Sequence, residues 1–387
     1  MMLVMNCQND FPTKLKILFF ISEDWYFWSH RRSIAIEAIR RGYEVVLVSR
    51  VNELQEEIEQ LGIKLIPSRL VRKSVNPFGE LKTLLELIRI YRQEKPDIVH
   101  HVALKPIIYG TLAARITNIP GIVNAFGGLG HLFSSSNWRT RFLKNLFILI
   151  LRLTLNNDRI RIILQNPVDF QRLIKKKVVD GDKLKLIRGA GADLGYFIPT
   201  EEPEGTPVLV YAGRLLWSKG VGDFVHALEI IKDQEIDFRA VLIGKPDPDN
   251  PESIPINKLE KWEEKGLIEW KGFREDMALE LSSATMIVLP TYYGEGVPKI
   301  LIEAAAASRP IITTKIPGCM EIVKDNWNGL LIPPHKPEEL ARAICKLIND
   351  KDLRQEMGKN GRMLVEKEFS EEIVLEQTFS LYEELGL

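Results

Sequence analysis

The sequence predicts an α/β protein made of two halves, each a parallel sheet covered by helices on both faces. Short apolar runs without polar alternation recur along the chain, and amphipathic helical patterns separate them. Such runs are typical of strands that are buried on both faces of a parallel sheet. The pattern stops at a Pro- and Glu-rich segment, 199–207, and then restarts, which indicates two doubly wound halves joined by a linker.

In the first half, six apolar runs are predicted as strands and three amphipathic segments as helices. The predicted strands are 16–22, 43–49, 64–68, 97–102, 121–126 and 161–165. The predicted helices are 29–41, 76–93 and 166–177. The segment after the first strand, ISEDWYFWSHRR, is expected to be a loop rich in aromatic side chains.

The second half repeats this alternation after the linker. Its predicted strands are 207–213, 238–244, 267–272, 285–290 and 310–314. We therefore predict a first domain over 13–198, a linker over 199–206, a second domain over 207–369 and a C-terminal helix over 370–387 that could pack back on the first domain. Ligands of such sheets usually bind at the carboxyl ends of the strands, so the functional residues are expected just after strands.

The composition excludes several classes of protein. Lys plus Arg and Asp plus Glu both number 52, so no net basic field favours nucleic acid. The three cysteines lack CxxC spacing, which excludes a disulfide scaffold and suggests a reducing compartment. The first residues do not fit a signal peptide, and no run of 18 apolar residues occurs. We expect a cytoplasmic protein of enzyme size.

The stretch YAGRLLWSKG, after the first strand of the second half, combines turn glycines with two cations. Gly213 permits a sharp turn, Arg214 follows it, and Lys219 precedes the next helix. The N–H groups and dipole at a helix start attract anions, and an Arg fork with a Lys point charge suits phosphate. Two solvated basic side chains are the alternative, but the strand-to-helix context predicts a diphosphate site.

The stretch TYYGEGVPKILIEAAAA, after another strand, places Glu295 and Glu303 on either side of a Gly/Pro turn. Pro298 suits the first position of a helix, so Glu303 is expected about 7–8 Å along that helix. Gly296 permits close approach of the backbone to a ligand. The spacing does not exclude a glycosidase pair, whose carboxyls lie about 5–10 Å apart. The diphosphate site favours a nucleotide sugar instead.

The pattern GR-x4-KG followed by E-G-V-P-x4-E resembles glycosyltransferase family 4, retaining enzymes of GT-B fold that use nucleotide-sugar donors. The similarity covers nearly the whole chain, including GAGADLGYF (189–197), SVNPFGELKTLLELIR and the H-x3-K-P of HVALKP. It is greatest to bacterial transferases of capsule, O-antigen and lipid-linked oligosaccharide assembly. The resemblance implies two Rossmann-like domains across a cleft, the first binding the acceptor and the second the nucleotide sugar.

The resemblance also implies roles for individual residues. Arg214 and Lys219 would hold the donor diphosphate, Glu295 would contact the transferred sugar, and these three are the expected catalytic residues. Glu303 would accept hydrogen bonds from the ribose hydroxyls. The other donor-binding candidates are backbone groups at Gly213, Gly272, Phe273, Arg274, Gly296, Val297, Pro298 and Lys299, with Gly244 and Lys245 as neighbours of the base. Because the two cations neutralise the leaving diphosphate, neither metal nor cofactor is expected.

In the first half, the acceptor-binding candidates are His30, Arg31, His101, Lys105, Gly128 and His131. Lys105 could meet an acceptor phosphate, whereas His100 is expected to be a packed strand residue. Many family members carry two glycines after the first strand and, after the fifth, a histidine that touches the donor sugar. This chain lacks the glycine pair, and AFGGLGHLF puts Gly127 at the histidine position, with His131 as the alternative.

Two further segments each leave two interpretations. The segment 137–155 is apolar with spaced Arg and Lys, which fits either a helix on a membrane surface, suited to a lipid-linked acceptor, or a buried helix with a charged edge. Asp247-Pro248-Asp249 resembles the metal motif of the other major glycosyltransferase fold. It lies in a turn-rich loop, so we predict an ordinary loop and no metal requirement.

These observations predict a retaining transferase that moves a hexose or N-acetylhexosamine from a nucleotide sugar, preferably a UDP-sugar, to a polyprenyl-diphosphate-linked saccharide or a growing surface polysaccharide. We expect it in the cytoplasm, with peripheral contact to the membrane as an option. A nucleotide-sugar 2-epimerase of the same fold is the main alternative, and a non-catalytic partner subunit is another. The E-x7-E pattern and the aromatic, basic segment after the first strand count against the epimerase. The intact Arg214, Lys219, Glu295 and Glu303 argue against the non-catalytic subunit.

Overall fold

The computed structural model describes residues 14–70, 76–129 and 148–386, which form two parallel sheets. One sheet has seven strands and the other has six. Helices alternate with the strands along the described chain, as the crossover connections of parallel strands require. The predicted α/β class with two doubly wound sheets is confirmed.

The first sheet contains one strand more than predicted. Its strands are β1 (Lys16–Glu23), β2 (Glu44–Arg50), β3 (Lys64–Pro67), β4 (Ile98–Val102), β5 (Gly121–Ala125), β6 (Ile160–Leu164) and β7 (Leu184–Leu186). Their spatial order is β3-β2-β1-β4-β5-β6-β7. The unpredicted β7 is an edge strand of three residues, too short to produce an apolar run.

The helices of this part include α1 (Asp24–His30), α2 (Arg32–Arg40), α3 (Gln55–Gln60), α4 (Pro77–Glu94), α5 (Leu104–Ile116) and α6 (Pro167–Lys175). The predicted loop after β1 is wrong, because these residues form α1. A tertiary contact holds this helix: the buried Asp24 carboxylate accepts hydrogen bonds from the backbone N–H (2.5 Å) and side-chain amide (2.7 Å) of Asn52. Because Asp24 and Asn52 are 28 positions apart, no local sequence pattern predicts this contact.

The second sheet also has an edge strand that was not predicted, β13. Its strands are β8 (Val208–Ala212), β9 (Arg239–Ile243), β10 (Glu269–Gly272), β11 (Met286–Leu289), β12 (Ile311–Thr314) and β13 (Gly329–Ile332), in the order β10-β9-β8-β11-β12-β13. Its helices are α7 (Val221–Lys232), α8 (Ile256–Glu264), α9 (Met277–Ser282), α10 (Lys299–Ala306), α11 (Pro317–Ile322), α12 (Pro337–Asn349) and α13 (Lys351–Glu368). The last helix of the chain is α14 (Glu371–Glu383). The neighbours β8 and β11 therefore end side by side at the centre of this sheet.

The chain divides into two compact units. The first comprises the described residues of Met1–Ala125 together with Leu153–Ile162 and Thr378–Leu387, and the second comprises those of Phe126–Arg152 and Ile163–Gln377. The interior of β1 is fully buried in the first unit, and both faces of the second sheet contribute to one apolar core in the second. None of the described helices combines the length and the apolar character that crossing a bilayer requires.

The Pro- and Glu-rich segment has no helix or strand between β7 and β8, yet it is anchored to the second unit. The Arg354 guanidinium, at the start of α13, forms an ion pair with Glu202, with Nε 3.0 and 3.1 Å from the two carboxylate oxygens. Arg354 also donates to the backbone carbonyls of Leu347 and Ile348 at the end of α12, at 2.5 and 2.8 Å. Both charged side chains are about nine-tenths buried.

Candidate active site

The candidate site begins at the carboxyl end of β8, where residues 213–220, here named the phosphate loop, lead into α7. A single 3-10 turn (Trp217–Lys219) ends at Gly220, whose φ of 79° lies in the left-handed region. A side chain at Gly220 would place its Cβ 2.5 Å from the carbonyl carbon of Pro290. Glycine therefore lets the start of α7 approach Pro290, which directly follows β11 and precedes both acidic candidates along the chain.

The two cations of the phosphate loop converge on one aromatic ring. Arg214 Cζ lies 5.8 Å and Lys219 Nζ lies 5.4 Å from the centre of the Tyr293 ring. Their side chains are 30% and 11% exposed, so both are partly shielded from water. Both cationic groups therefore border the same aromatic ring. The structure thus brings together the two residues predicted to hold a diphosphate.

Glu295 lies at the same place, as the ion-pair partner of Lys219. Its other carboxylate oxygen is 3.1 Å from the hydroxyl of Thr291, whose own backbone carbonyl accepts a hydrogen bond from Thr314. Thr291, two residues after β11, thus holds this carboxylate and is itself held by Thr314 at the end of β12. A side chain held in this way can position a hydroxyl of a bound sugar within reach of the cations.

Asp247 contacts Arg214, with its Oδ2 3.3 Å from Nη1. It lies in residues 245–254, here named the acidic loop, between β9 and α8, where no helix or strand is present. The loop prediction for Asp247-Pro248-Asp249 is confirmed in that sense, but the contact with Arg214 is not visible in the sequence pattern. No group of three or more His, Cys, Asp or Glu side chains within residues 14–70, 76–129 and 148–386 could hold a metal ion.

Glu303 is buried on α10, with 5% of its surface exposed, and pairs with Lys299 one turn earlier. The helix begins at Lys299, so Pro298 is the residue that caps it and not its first residue as predicted. Proline still fits there because its φ of −62° is close to the helical value. Glu295 and Glu303 thus stand on the two sides of this helix start, each beside a lysine.

The backbone N–H groups of Gly296 and Val297, expected to face the donor, have protein partners in this structure. The N–H of Gly296 donates to the carbonyl of Gly127 at 2.5 Å, and the N–H of Val297 donates to Gln165 Oε1 at 3.0 Å. Gln165 is 7% exposed and directly follows β6. In the sequence, Gln165 is the last residue of the predicted strand 161–165, and this polar end of an apolar run is the only signal for it.

Gly128, an acceptor-binding candidate, packs against the same turn. Its φ is 121°, and a Cβ there would lie 2.6 Å from the backbone nitrogen of Gly296. The neighbouring N–H of Leu129 donates to the Asp169 carboxylate, 2.9 Å away, near the start of α6. Asp169 itself is held by the side chain of Asn166, which caps α6. Glycine is therefore required at 128 by close backbone packing.

The segment predicted to face the nucleobase is open. At Gly272 the φ is 67° and no heavy atom lies within 4 Å of a Cβ built there. The Phe273 side chain is 58% exposed, with Lys245 Nζ 5.4 Å from its ring centre. Arg274 forms an ion pair with Glu280, with Nε 3.5 Å from Oε1. The turn of Gly272 is tied to the end of β9 by a hydrogen bond from the N–H of Gly244 to its carbonyl, 2.8 Å.

Among the acceptor candidates of the first unit, His30 and Lys105 are partly exposed. The His30 ring stacks on Tyr26 with ring centres 4.3 Å apart, and Lys105 pairs with Glu80 at 2.6 Å. Arg31 is 4% exposed and donates to the carbonyl of His30. Of the remaining candidates, His131 lies outside the described residues, as does most of the segment 137–155.

His101 is completely buried, which leaves it no surface for an acceptor. Its ring is hydrogen-bonded to Tyr91 (2.9 Å) and Asn124 (2.8 Å), and burial lowers its pKa to about 4. The neighbouring His100 is also buried, as predicted, with Nδ1 2.6 Å from the Tyr382 hydroxyl. Burial raises the pKa of Cys319 to about 12, so this thiol stays protonated and is not a nucleophile.

Comparison with known families decides the class of protein. Residues 196–364 match the family model of glycosyl transferases group 1, and residues 16–166 match that of glycosyl transferase 4-like domains. This chain belongs to the glycosyltransferases. The predicted family and enzyme class are confirmed, and the phosphate loop and both glutamates lie within the group 1 match.

Relatives of this glycosyltransferase include enzymes named for lipid-linked acceptors. The chain is 26% identical over 369 residues to N,N'-diacetylbacillosaminyl-diphospho-undecaprenol α-1,3-N-acetylgalactosaminyltransferase of Campylobacter jejuni, covering 92% of this chain and 95% of that one. It is 26% identical over 301 residues to UDP-Gal:α-D-GlcNAc-diphosphoundecaprenol α-1,3-galactosyltransferase of Escherichia coli, covering 75% and 76%.

Solved structures share the fold. A glycosyltransferase of Rickettsia africae superposes with a TM-score of 0.76 at 21% identity, covering 96% of this chain and 99% of that one. Anabaena HepE, crystallised with UDP, superposes with a TM-score of 0.73 at 16% identity, covering 96% and 100%. At these identities the similarity establishes the architecture and not the substrate.

Proposed function

We propose that this glycosyltransferase moves a hexose or N-acetylhexosamine from a UDP-sugar to a polyprenyl-diphosphate-linked saccharide or a growing surface polysaccharide, with retention of configuration. One observation carries the proposal: Arg214 and Lys219 converge on the Tyr293 ring beside Glu295. Two cations and a carboxylate at the end of a parallel sheet suit a diphosphate joined to a polyhydroxyl sugar.

In the proposed reaction, the cations stabilise the charge that develops on the leaving diphosphate. That charge is larger in the transition state than in the bound donor, so preorganised cations lower the barrier without a metal ion. Glu295, held by Lys219 and Thr291, accepts hydrogen bonds from the transferred sugar. Glu303 accepts hydrogen bonds from the ribose, and the open turn at Gly272 receives the base.

Retention is proposed without a protein nucleophile. The Lys219 ion pair keeps Glu295 in a charge-compensated state, which makes it a weaker nucleophile than an unpaired carboxylate. A phosphate oxygen of the leaving group can instead take the proton from the acceptor hydroxyl. The anomeric configuration of the product, measured by NMR, tests this point: an inverted product would overturn the retaining mechanism.

We further propose peripheral contact with the cytoplasmic face of a membrane, where a polyprenyl acceptor would lie. The outer face of α4 carries Phe78, Leu81 and Leu85, which are 79%, 54% and 57% exposed. Lys82 and Arg89 are exposed on the same face at helical spacing. Apolar and basic side chains on one helix face suit an anionic lipid surface. Leu149 and Leu153, within the segment predicted for this role, are exposed as well.

The substrate proposal is tested with a panel of UDP- and GDP-sugars, measured for binding and for transfer to a lipid-diphosphate-linked saccharide. We expect one UDP-sugar to support transfer and Arg214→Ala to lose most of it. Conversion of a UDP-sugar to its 2-epimer without acceptor would establish the isomerase instead. Donor binding without any turnover on the panel would favour the non-catalytic subunit.

The membrane proposal is tested by sedimentation with vesicles of phosphatidylglycerol and phosphatidylcholine. Replacing Phe78, Leu81 and Leu85 together by Ser should weaken binding about tenfold, because less apolar surface enters the interface. The matched control replaces three exposed apolar side chains of the second unit by Ser in the same way. These are Ile256, Leu279 and Met363, which are 54%, 64% and 52% exposed. Equal binding by both triple variants would contradict the role of α4.

A further inference from the structure

We propose that Asp247 is a positioning residue for the donor site: its carboxylate holds the Arg214 guanidinium in the orientation from which it contacts the donor diphosphate. The inference rests on the proposed function, because Arg214 needs a diphosphate to act on. From its resemblance to a metal motif and its turn-rich surroundings, the sequence predicts that Asp247 lies in an ordinary loop outside the donor site. The structure instead places it on the first cation of the phosphate loop.

The contact leaves Arg214 able to bind a ligand. Asp247 Oδ2 approaches Nη1 at 3.3 Å, and a guanidinium has five N–H donors in a rigid planar fork. Holding one nitrogen therefore fixes the plane of the fork while its other donors stay available to phosphate oxygens. The side chains of Arg214 and Asp247 are 30% and 16% exposed, so the pair is shielded and yet reachable.

The acidic loop is itself fixed to the phosphate loop, so that Asp247 has a defined position. The N–H of Trp217 donates to the carbonyl of Glu252 at 2.8 Å, and the N–H of Ile254 donates to the carbonyl of Leu215 at 2.9 Å. These bonds join the two loops as neighbouring extended segments. Ile254 is completely buried, which anchors the far end of the acidic loop in the core.

Within the acidic loop, further bonds set the position of the carboxylate. The backbone N–H of Asp247 donates to the Ser253 hydroxyl at 2.9 Å, and its carbonyl accepts from the N–H of Asn250 at 2.7 Å. A second carboxylate of this loop, Glu252, bonds the Ser218 hydroxyl in the phosphate loop. Two acidic side chains of one loop therefore hold two residues of the other.

The two consequences of Asp247→Asn should be opposite: loss of positioning should slow transfer, whereas loss of the negative charge should not weaken UDP binding. Loss of the charge-assisted bond frees the guanidinium, and kcat should fall about tenfold because the cation matters most when charge develops on the leaving group. Removal of a negative charge beside an anion site should leave the UDP dissociation constant unchanged or lower it. A collapse of the loop would instead weaken UDP binding and lower the melting temperature.

The decisive experiment is a double-mutant cycle on transfer kinetics with Arg214→Lys and Asp247→Asn. Lysine keeps the charge and lacks the fork, so Asp247→Asn should cost less than about twofold in kcat in that background. Losses that multiply in the double variant would overturn the inference, because the two residues would then act independently. A higher kcat for Asp247→Asn would also overturn it, since Asp247 would then compete with the donor.

Asp249→Asn is the matched control, two residues along the same loop, and should stay within about twofold of wild type in kcat. An equal loss in Asp249→Asn would assign the effect to the charge of the loop and contradict positioning. Normal kcat in Asp247→Asn together with an impaired Arg214→Ala would overturn this inference alone. If Arg214→Ala bound UDP and transferred sugar normally, the proposed donor site would be wrong as well.

Discussion

Glu303→Ala provides the sharpest test of how the donor is held. Glu303 is a buried residue of α10, 5% exposed, and Lys299 bonds one of its two carboxylate oxygens. A carboxylate offers about four acceptor positions, so it can accept ribose hydroxyls while paired. Hydrogen bonds to a charged group contribute about 1.5–3 kcal/mol, so Glu303→Ala should weaken UDP binding about 10- to 150-fold.

The structure predicts that this loss can be measured without unfolding the protein. Lys299, left without its partner, is 30% exposed, so its ammonium can reach water. An i,i+4 ion pair on a helix contributes only about 0.2–0.5 kcal/mol, and alanine is the best helix former. Thermal unfolding of the ligand-free variant should therefore stay close to that of the wild type.

Isothermal titration calorimetry with UDP is the assay. Glu303→Gln keeps one acceptor and should fall between wild type and Glu303→Ala, whereas Glu264→Ala, at an exposed position on α8, should bind UDP like the wild type. If Glu303→Ala bound UDP within about twofold of wild type, Glu303 would not contact the nucleotide and its role would be structural.

Three further predictions concern metal, linker and pH. Transfer should be undiminished in excess EDTA, and a strict Mn²⁺ requirement would contradict the metal-free mechanism. Glu202→Ala should lower the free energy of unfolding by about 3 kcal/mol, because Arg354 is left buried without its counter-charge, while Glu201→Ala should have little effect in the same denaturation experiment. Burial lowers the pKa of His100 and brings that of His101 to about 4. As pH falls below 6.5, these histidines therefore bind protons in the unfolded chain before they do in the folded one, and each should lower the free energy of unfolding by about 1.4 kcal/mol per pH unit. His101→Gln should make the free energy of unfolding fall less steeply with pH. An unchanged dependence on pH would contradict the role of His101.

The strands were predictable wherever the sequence pattern is local. A run such as KILFFIS is apolar at every position because a parallel strand is covered on both faces, and that cause acts within a few residues. The edge strands β7 and β13, of three and four residues, are too short for this pattern. The helix α1 escaped prediction because a distant residue, Asn52, fixes its first turn.

The sequence by itself determined the class of fold, the family and the residue types of the candidate site. Glycines, prolines and charges at strand ends are constrained by neighbouring residues, so they leave a readable pattern. Only the tertiary structure decided which of these residues meet. Asp247 with Arg214, Glu295 with Lys219, and Gln165 with Val297 are 33, 76 and 132 positions apart. The first two pairs meet because β8, β9 and β11 bring their carboxyl ends to one edge of the same parallel sheet, whereas Gln165 follows a strand of the other sheet. No local pattern encodes either contact.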